Sequence, residues 1–150
     1  TIDDAAGEAF DKAAKILGLA YPGGPAIEAL AAEGDASAVP LPRPLVGSDE
    51  PPSTSAGLKS AVQRAAASGQ FAAADIAASF QQAVVDCLVD RTRLALRHSS
   101  APALVVAGGV AANQPIRRAL AGLAATEYRR FSVPPAWLCT DNAAMIAWAG

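Results

Sequence analysis

Apolar residues recur at helical spacing from the start of the chain. Ala6, Phe10, Ala13 and Leu17 form one stripe, Asp3 and Asp4 suit the positive end of a helix dipole, and Gly18 stops the run. The pattern predicts a helix over residues 3–17. Asp4, Glu8 and Asp11 lie on its other face, and Glu8 is spaced to support Lys12 as an ion pair. The turn Pro22-Gly23-Gly24-Pro25 then opens a second helix carrying Ile27, Leu30 and Ala31. Residues 34–56 are rich in Pro, Ser, Gly and Asp and show no periodicity, which predicts a long irregular segment of a kind that is often functional or mobile. Helices are predicted over 57–67 and 71–98, the second amphipathic through Ile76, Phe80, Ala83, Val84, Cys87, Leu88, Leu94 and Ala95.

The period changes after residue 100. Ala103-Leu104-Val105-Val106 reads as a short buried strand, Gly108-Gly109 as a tight turn, and 114–125 as a helix. A second strand around 131–133, a loop through Pro134 and Pro135, a short apolar piece at Trp137-Leu138 and a last helix from Asn142 complete the pattern. No internal repeat is present. The fold class is therefore α/β.

With 150 residues and 52% apolar side chains, the chain can bury one ordinary core. The only methionine is Met145, and the chain starts inside a predicted helix, so it is expected to be a fragment of a longer protein. A net charge of −2 gives no general electrostatic case for gripping nucleic acid. Any RNA contact would be local, through Arg91, Arg93 and Arg97 or through Arg117, Arg118, Arg129 and Arg130; the competing reading of these arginines is a solvated helix face. Cys87 and Cys139 make no close pair, which points to a reducing compartment, and both are expected in the core. No apolar run is long enough to cross a membrane, and a soluble, cytoplasmic protein is expected.

Several positions could carry chemistry. Gly108 and Gly109 between strand and helix allow close backbone approach to a ligand, and N–H groups at a helix start favour an anion such as phosphate; the alternative is a plain turn with Asn113 capping the helix. Thr140-Asp141-Asn142 fits a helix cap, and Asp141 equally fits a metal ligand. Asp11 and Glu28 could accept hydrogen bonds from ribose hydroxyls or simply be solvated helix charges. His98, the single histidine, suits the C-terminal end of its helix. One histidine excludes a His-Glu-x-x-His zinc motif and any two-histidine metal site within the chain, and no serine has a histidine partner for a hydrolytic triad.

Taken in order, Asp3-Asp4-Ala5-Ala6-Gly7-Glu8-Ala9-Phe10-Asp11-Lys12, Tyr21-Pro22-Gly23-Gly24-Pro25, Gly57-Leu58-Lys59, Ala107-Gly108-Gly109-Val110-Ala111-Ala112-Asn113 and Leu138-Cys139-Thr140-Asp141-Asn142-Ala143-Ala144 resemble the tRNA N6-adenosine threonylcarbamoyltransferase family, once labelled O-sialoglycoprotein endopeptidase. The resemblance spans nearly the whole chain. It implies the second lobe of an actin-like, sugar-kinase-like (RNase H-like) ATPase fold, with residues 1–56 as inserted helices and loop and 57–150 as the lobe.

By matching motif positions, Asp11, Gly24, Glu28 and Asn113 resemble the residues that hold the adenosine and ribose of threonylcarbamoyl-AMP, with ATP as the related ligand. Gly108 and Gly109 would form the phosphate turn. Asp141 resembles the carboxylate ligand of a divalent metal, iron or zinc; the family's other two ligands are histidines of a His-x-x-x-His motif that this chain lacks. The implied reaction moves threonylcarbamoyl to N6 of adenosine 37 in tRNAs reading codons that begin with A. Its partners would be tRNA and companion proteins of the same pathway, and the isolated chain would be inactive. The alternative is a nucleotide-binding or regulatory lobe of an actin-like protein. Where the family carries Phe-Ser-Phe-Ser before Gly-Leu-Lys, this chain has Ser53-Thr54-Ser55-Ala56, two aromatics fewer.

Overall fold

The computed structural model describes residues 2–44, 46–47 and 56–139. Five helices form its body: α1 (Ile2–Ile16), α2 (Gly23–Ala31), α3 (Ala56–Ser68), α4 (Ala73–Arg97) and α5 (Gln114–Thr126). Strands β1 (Ala103–Val105) and β2 (Arg130–Ser132) pair in parallel, with Leu104 opposite Phe131, and α5 is the crossover between them. Two strands alone would be marginal. These two are steadied because Leu104, Val106 and Phe131 pack on the helical core.

Helix α4 is the central post, in contact with α1, α2, α3 and α5. Its N-terminal half carries the burial, with Ile76, Ala77, Ala78, Ser79, Phe80, Ala83, Val84 and Val85 all buried. Phe80 meets Phe10 of α1 edge to face, with ring centres 5.1 Å apart, a geometry that aligns the positive ring edge with the negative ring face. Ile27 of α2, Val62 of α3 and Ile116 of α5 close the same cluster, so one core unites residues on both sides of position 57. The α1 stripe is buried through Ala6, Phe10 and Ala13, as its spacing predicts.

Two core assignments need correction. Cys87 is only half-buried, its thiol donating to the Pro44 carbonyl at 3.4 Å, and Ala95 is exposed. Near the end of α4 it is Leu96, not Ala95, that is buried, while Leu88 is partly buried against the core. Burial also raises the Cys87 thiol above its ordinary range, and Asp86 adds to the effect. Cys139 is buried, as expected.

The segment after α2, read as irregular, is a strap laid along α4. Gly34 starts it: a Cβ there would collide with the backbone of Ala74. Asp75 then accepts from the Asp35 N–H at 2.9 Å, and the Ser79 hydroxyl both accepts from Val39 N–H at 3.1 Å and donates to Asp35 O at 3.3 Å. Further along, Asp86 pairs with Arg43 at 2.5 Å and Asp90 accepts from Gly47 N–H at 3.2 Å. Val39 and Leu41 of the strap are themselves buried. These side chains satisfy backbone groups that a loop close to a core would otherwise leave without partners. Residues 45 and 48–55, including the Ser53-Thr54-Ser55 departure, lie outside the described residues.

Candidate functional site

A cleft of about 680 Å³ opens between α1, the start of α2 and the turn that precedes α5. Its size suits a small organic ligand, for which pockets run to roughly 300–1,000 Å³. Asp11, Gly24, Glu28 and Asn113, the four positions predicted to bind substrate, all line it, together with Gly109. They come from parts of the chain up to about a hundred residues apart. Tyr21, Pro22, Pro25 and Val110 supply its apolar walls.

Asp11, Glu28 and Asn113 are each fixed by a backbone partner. Asp11 Oδ1 accepts from Gly23 N–H at 3.0 Å, tying the Gly-Gly turn to α1. Only glycine fits at that point, since a Cβ on Gly23 would lie 2.7 Å from the Asp11 Cα. Gly24, by contrast, has open space where a Cβ would be, so its lack of a side chain leaves room in the cleft. Glu28 Oε1 crosses from α2 to accept the first N–H of α5, from Gln114, at 2.9 Å. A carboxylate there also matches the positive end of the α5 dipole. The other oxygens of Asp11 and Glu28 accept no hydrogen bond among the described residues.

Asn113 is the N-cap of α5, accepting from Ile116 N–H at 3.0 Å, and Pro115 fills the first turn. Its amide nitrogen donates to Gln81 Oε1 at 2.9 Å. Asn113 is thus both the cap of α5 and a residue lining the cleft. With Gln114 and Ile116 engaged, the amides at the start of α5 are not open to an anion, contrary to the expectation for that helix. The glycine turn differs. Gly108 has φ 91° and ψ 176°, a region essentially reserved for glycine, and a 3₁₀ turn, Gly109–Ala112, separates it from α5. The Gly109 and Val110 N–H groups have no acceptor among the described residues.

Glu8, on the rim, is paired with Lys12, which holds its carboxyl below the ordinary range through their hydrogen bond. Tyr21 is 86% exposed, an aromatic ring with little protein covering it. It belongs to a motif block quoted from the sequence, yet nothing in a lone tyrosine before a proline marked it for a role. Gln81 was missed as well, because an amide on a long helix carries no signal until its partner is seen.

Four of the arginines considered for RNA have partners within the protein. Arg117 donates to Ala111 O, to Pro134 O at 2.8 Å and to Cys139 Sγ at 3.3 Å, bracing the glycine turn against the loop after β2. Arg129 donates to Ser99 O at 3.0 Å, beyond the end of α4. Arg97 faces Glu127 at 3.8 Å, and Arg91 pairs with Asp90 at 2.8 Å. Arg118 and Arg130 are exposed. His98 caps α4, its Nδ1 lying 2.9 Å from Leu94 O, as its position in the sequence suggested.

Asp141, with the Thr140-Asp141-Asn142 cap and the last predicted helix, lies outside the described residues. Among the described residues no three His, Cys, Asp or Glu side chains are grouped so as to hold a metal ion. No helix among them is long and apolar enough to cross a membrane.

A parallel β–α–β unit with a glycine turn after its first strand, packed on helices, defines an α/β protein. The chain belongs to the tRNA N6-adenosine threonylcarbamoyltransferase family, whose family model matches residues 1–148. It is 72% identical to a tRNA N6-adenosine threonylcarbamoyltransferase of Sphingopyxis alaskensis, the match covering 100% of this chain and 44% of that protein. Proteins of the same name from Erythrobacter litoralis and Zymomonas mobilis are 69% and 60% identical, again over 100% of this chain and 44% and 43% of their own lengths. The chain thus spans less than half the length of these relatives.

Proposed function

We propose that this chain contributes the nucleotide-binding wall of a threonylcarbamoyltransferase that acts on tRNA. The complete protein would move the threonylcarbamoyl group of threonylcarbamoyl-AMP to N6 of adenosine 37. The observation that carries this reading is the convergence of Asp11, Gly24, Glu28 and Asn113 on one cleft, in a chain of this family. The free oxygens of Asp11 and Glu28 would accept hydrogen bonds from ribose hydroxyls. Tyr21, Pro22 and Pro25 offer apolar surface to the base, and the Gly109 and Val110 amides offer donors to the phosphate. Held in this way, the adenylate presents its carbonyl in a set orientation to the incoming amine, and orientation alone removes much of the entropic barrier. Breaking the acyl–phosphate bond leaves AMP, whose negative charge the turn amides would stabilise.

Residues 57–150 would form the second lobe of an actin-like fold and residues 1–56 its inserted helices. The described residues do not group into a metal site. The family's metal, iron or zinc, would draw only Asp141 from this chain. tRNA and companion proteins of the pathway would be its partners. The test is transfer of labelled threonylcarbamoyl from its adenylate to tRNA by the complete protein. Glu28→Ala is expected to lower kcat/KM at least tenfold, chiefly through KM, whereas unchanged kinetics would exclude the cleft as the adenylate site.

A further inference from the structure

The two ends of the Asn113 carboxamide have the same shape but opposite hydrogen-bonding roles, so only its partners decide which end faces where. Asn113 is buried, 6% exposed. Ile116 N–H can only donate, which places Oδ1 toward α5. The NH₂ group then lies on the other side, where Gln81 Oε1 takes one of its two hydrogens at 2.9 Å. Gln81 comes from α4 and is not itself among the residues lining the cleft. The oxygen is thereby committed to the helix, and a second N–H remains for a ligand.

From this geometry we infer that Gln81 is a positioning residue that makes Asn113 present a hydrogen-bond donor to the cleft. The inference rests on the nucleotide reading of the cleft and sharpens it. Asn113 recognises an acceptor atom of the nucleotide, an oxygen or ring nitrogen, and discriminates against a donor at that place. Removing the Gln81 acceptor leaves a buried N–H without its partner. With Oδ1 still held by Ile116 N–H, the NH₂ end is then free to tilt, and its second N–H is no longer held in place for the ligand.

The experiment uses the complete protein and calorimetric titration with AMP, with melting temperatures recorded for every variant. Gln81→Leu and the length-matched Gln81→Met are expected to weaken AMP binding about tenfold, and to raise KM for threonylcarbamoyl-AMP with kcat retained. Gln81→Glu keeps an acceptor at the same reach and is expected to restore wild-type affinity. In an Asn113→Ala background, Gln81→Met should cost no further affinity, because the coupled pair is already broken. Wild-type affinity in both Gln81→Leu and Gln81→Met, or full additivity with Asn113→Ala, would overturn the inference while leaving the cleft as the nucleotide site. Wild-type affinity in Asn113→Ala itself would overturn both.

Discussion

The strap over α4 and the cleft beside α1 are both irregular segments held by side-chain to backbone hydrogen bonds, yet they are built for different ends. In the strap, Asp75, Ser79, Asp86 and Asp90 project from one face of a single helix onto the segment from residue 35 to residue 47. The closest approach, at Gly34, leaves no room for a side chain. In the cleft, Asp11 and Glu28 each commit one oxygen to a backbone N–H and leave the other without a protein partner among the described residues. Asp75 and Asp90 likewise use one oxygen each, so what separates the two regions is place: Asp11 and Glu28 line a cavity of about 680 Å³, and the strap carboxylates do not line it. Contacts that fasten a segment to the core contribute to stability. A spare acceptor that lines a cavity of this size is available to a small ligand.

This difference predicts that changes in the strap move stability and changes in the cleft move affinity. The largest effect is expected at Gly34→Ala, which drives a methyl group into the Ala74 backbone. It should destabilise the protein by about 3 kcal/mol, seen as a lower Tm, with AMP affinity of the remaining folded protein unchanged. A large loss of affinity at unchanged Tm would break the comparison. Ser79→Ala strands the buried Val39 N–H and is expected to lower stability by roughly 1–2 kcal/mol, again without an effect on binding. Thermal unfolding of the two variants side by side checks the ranking.

Tyr21→Ala probes the cleft in the opposite sense. The ring is 86% exposed, so its removal should leave Tm within about one degree. If adenine stacks on it, AMP affinity should fall about tenfold, as aromatic–base stacking contributes roughly 1–3 kcal/mol per base. Tyr21→Phe should bind as wild type. Equal affinity for Tyr21→Ala and Tyr21→Phe would remove the ring from the account of the site.

The helices were legible because their apolar residues repeat at helical spacing, and the predicted bounds of α1 and α5 agree with the structure to within a residue. The strap was not, because its own composition carries no pattern. The signal lay elsewhere, in the polar stripe Asp75, Ser79, Asp86 and Asp90 on a helix read only for its apolar face. In the cleft, motif blocks picked out the lining residues, but no spacing could show that Glu28 reaches Gln114 across 86 positions. The same holds for Gln81 and Asn113, joined only once α4 and α5 pack. Nor could spacing show that the amides at the start of α5 are satisfied by Glu28 and Asn113, while the Gly109 and Val110 N–H groups have no acceptor among the described residues.

If the half-satisfied carboxylates of the cleft bind a nucleotide, Asp11→Asn in the complete protein loses affinity without losing stability. Asparagine keeps a carbonyl oxygen for the Gly23 N–H, 3.0 Å from Oδ1 in the structure, and replaces the open carboxylate oxygen with an NH₂ donor. Calorimetric titration with threonylcarbamoyl-AMP should show at least a tenfold rise in Kd, with Tm within about two degrees of wild type. Wild-type affinity in a folded Asp11→Asn protein would contradict the account and leave Asp11 as a clamp for the Gly-Gly turn alone.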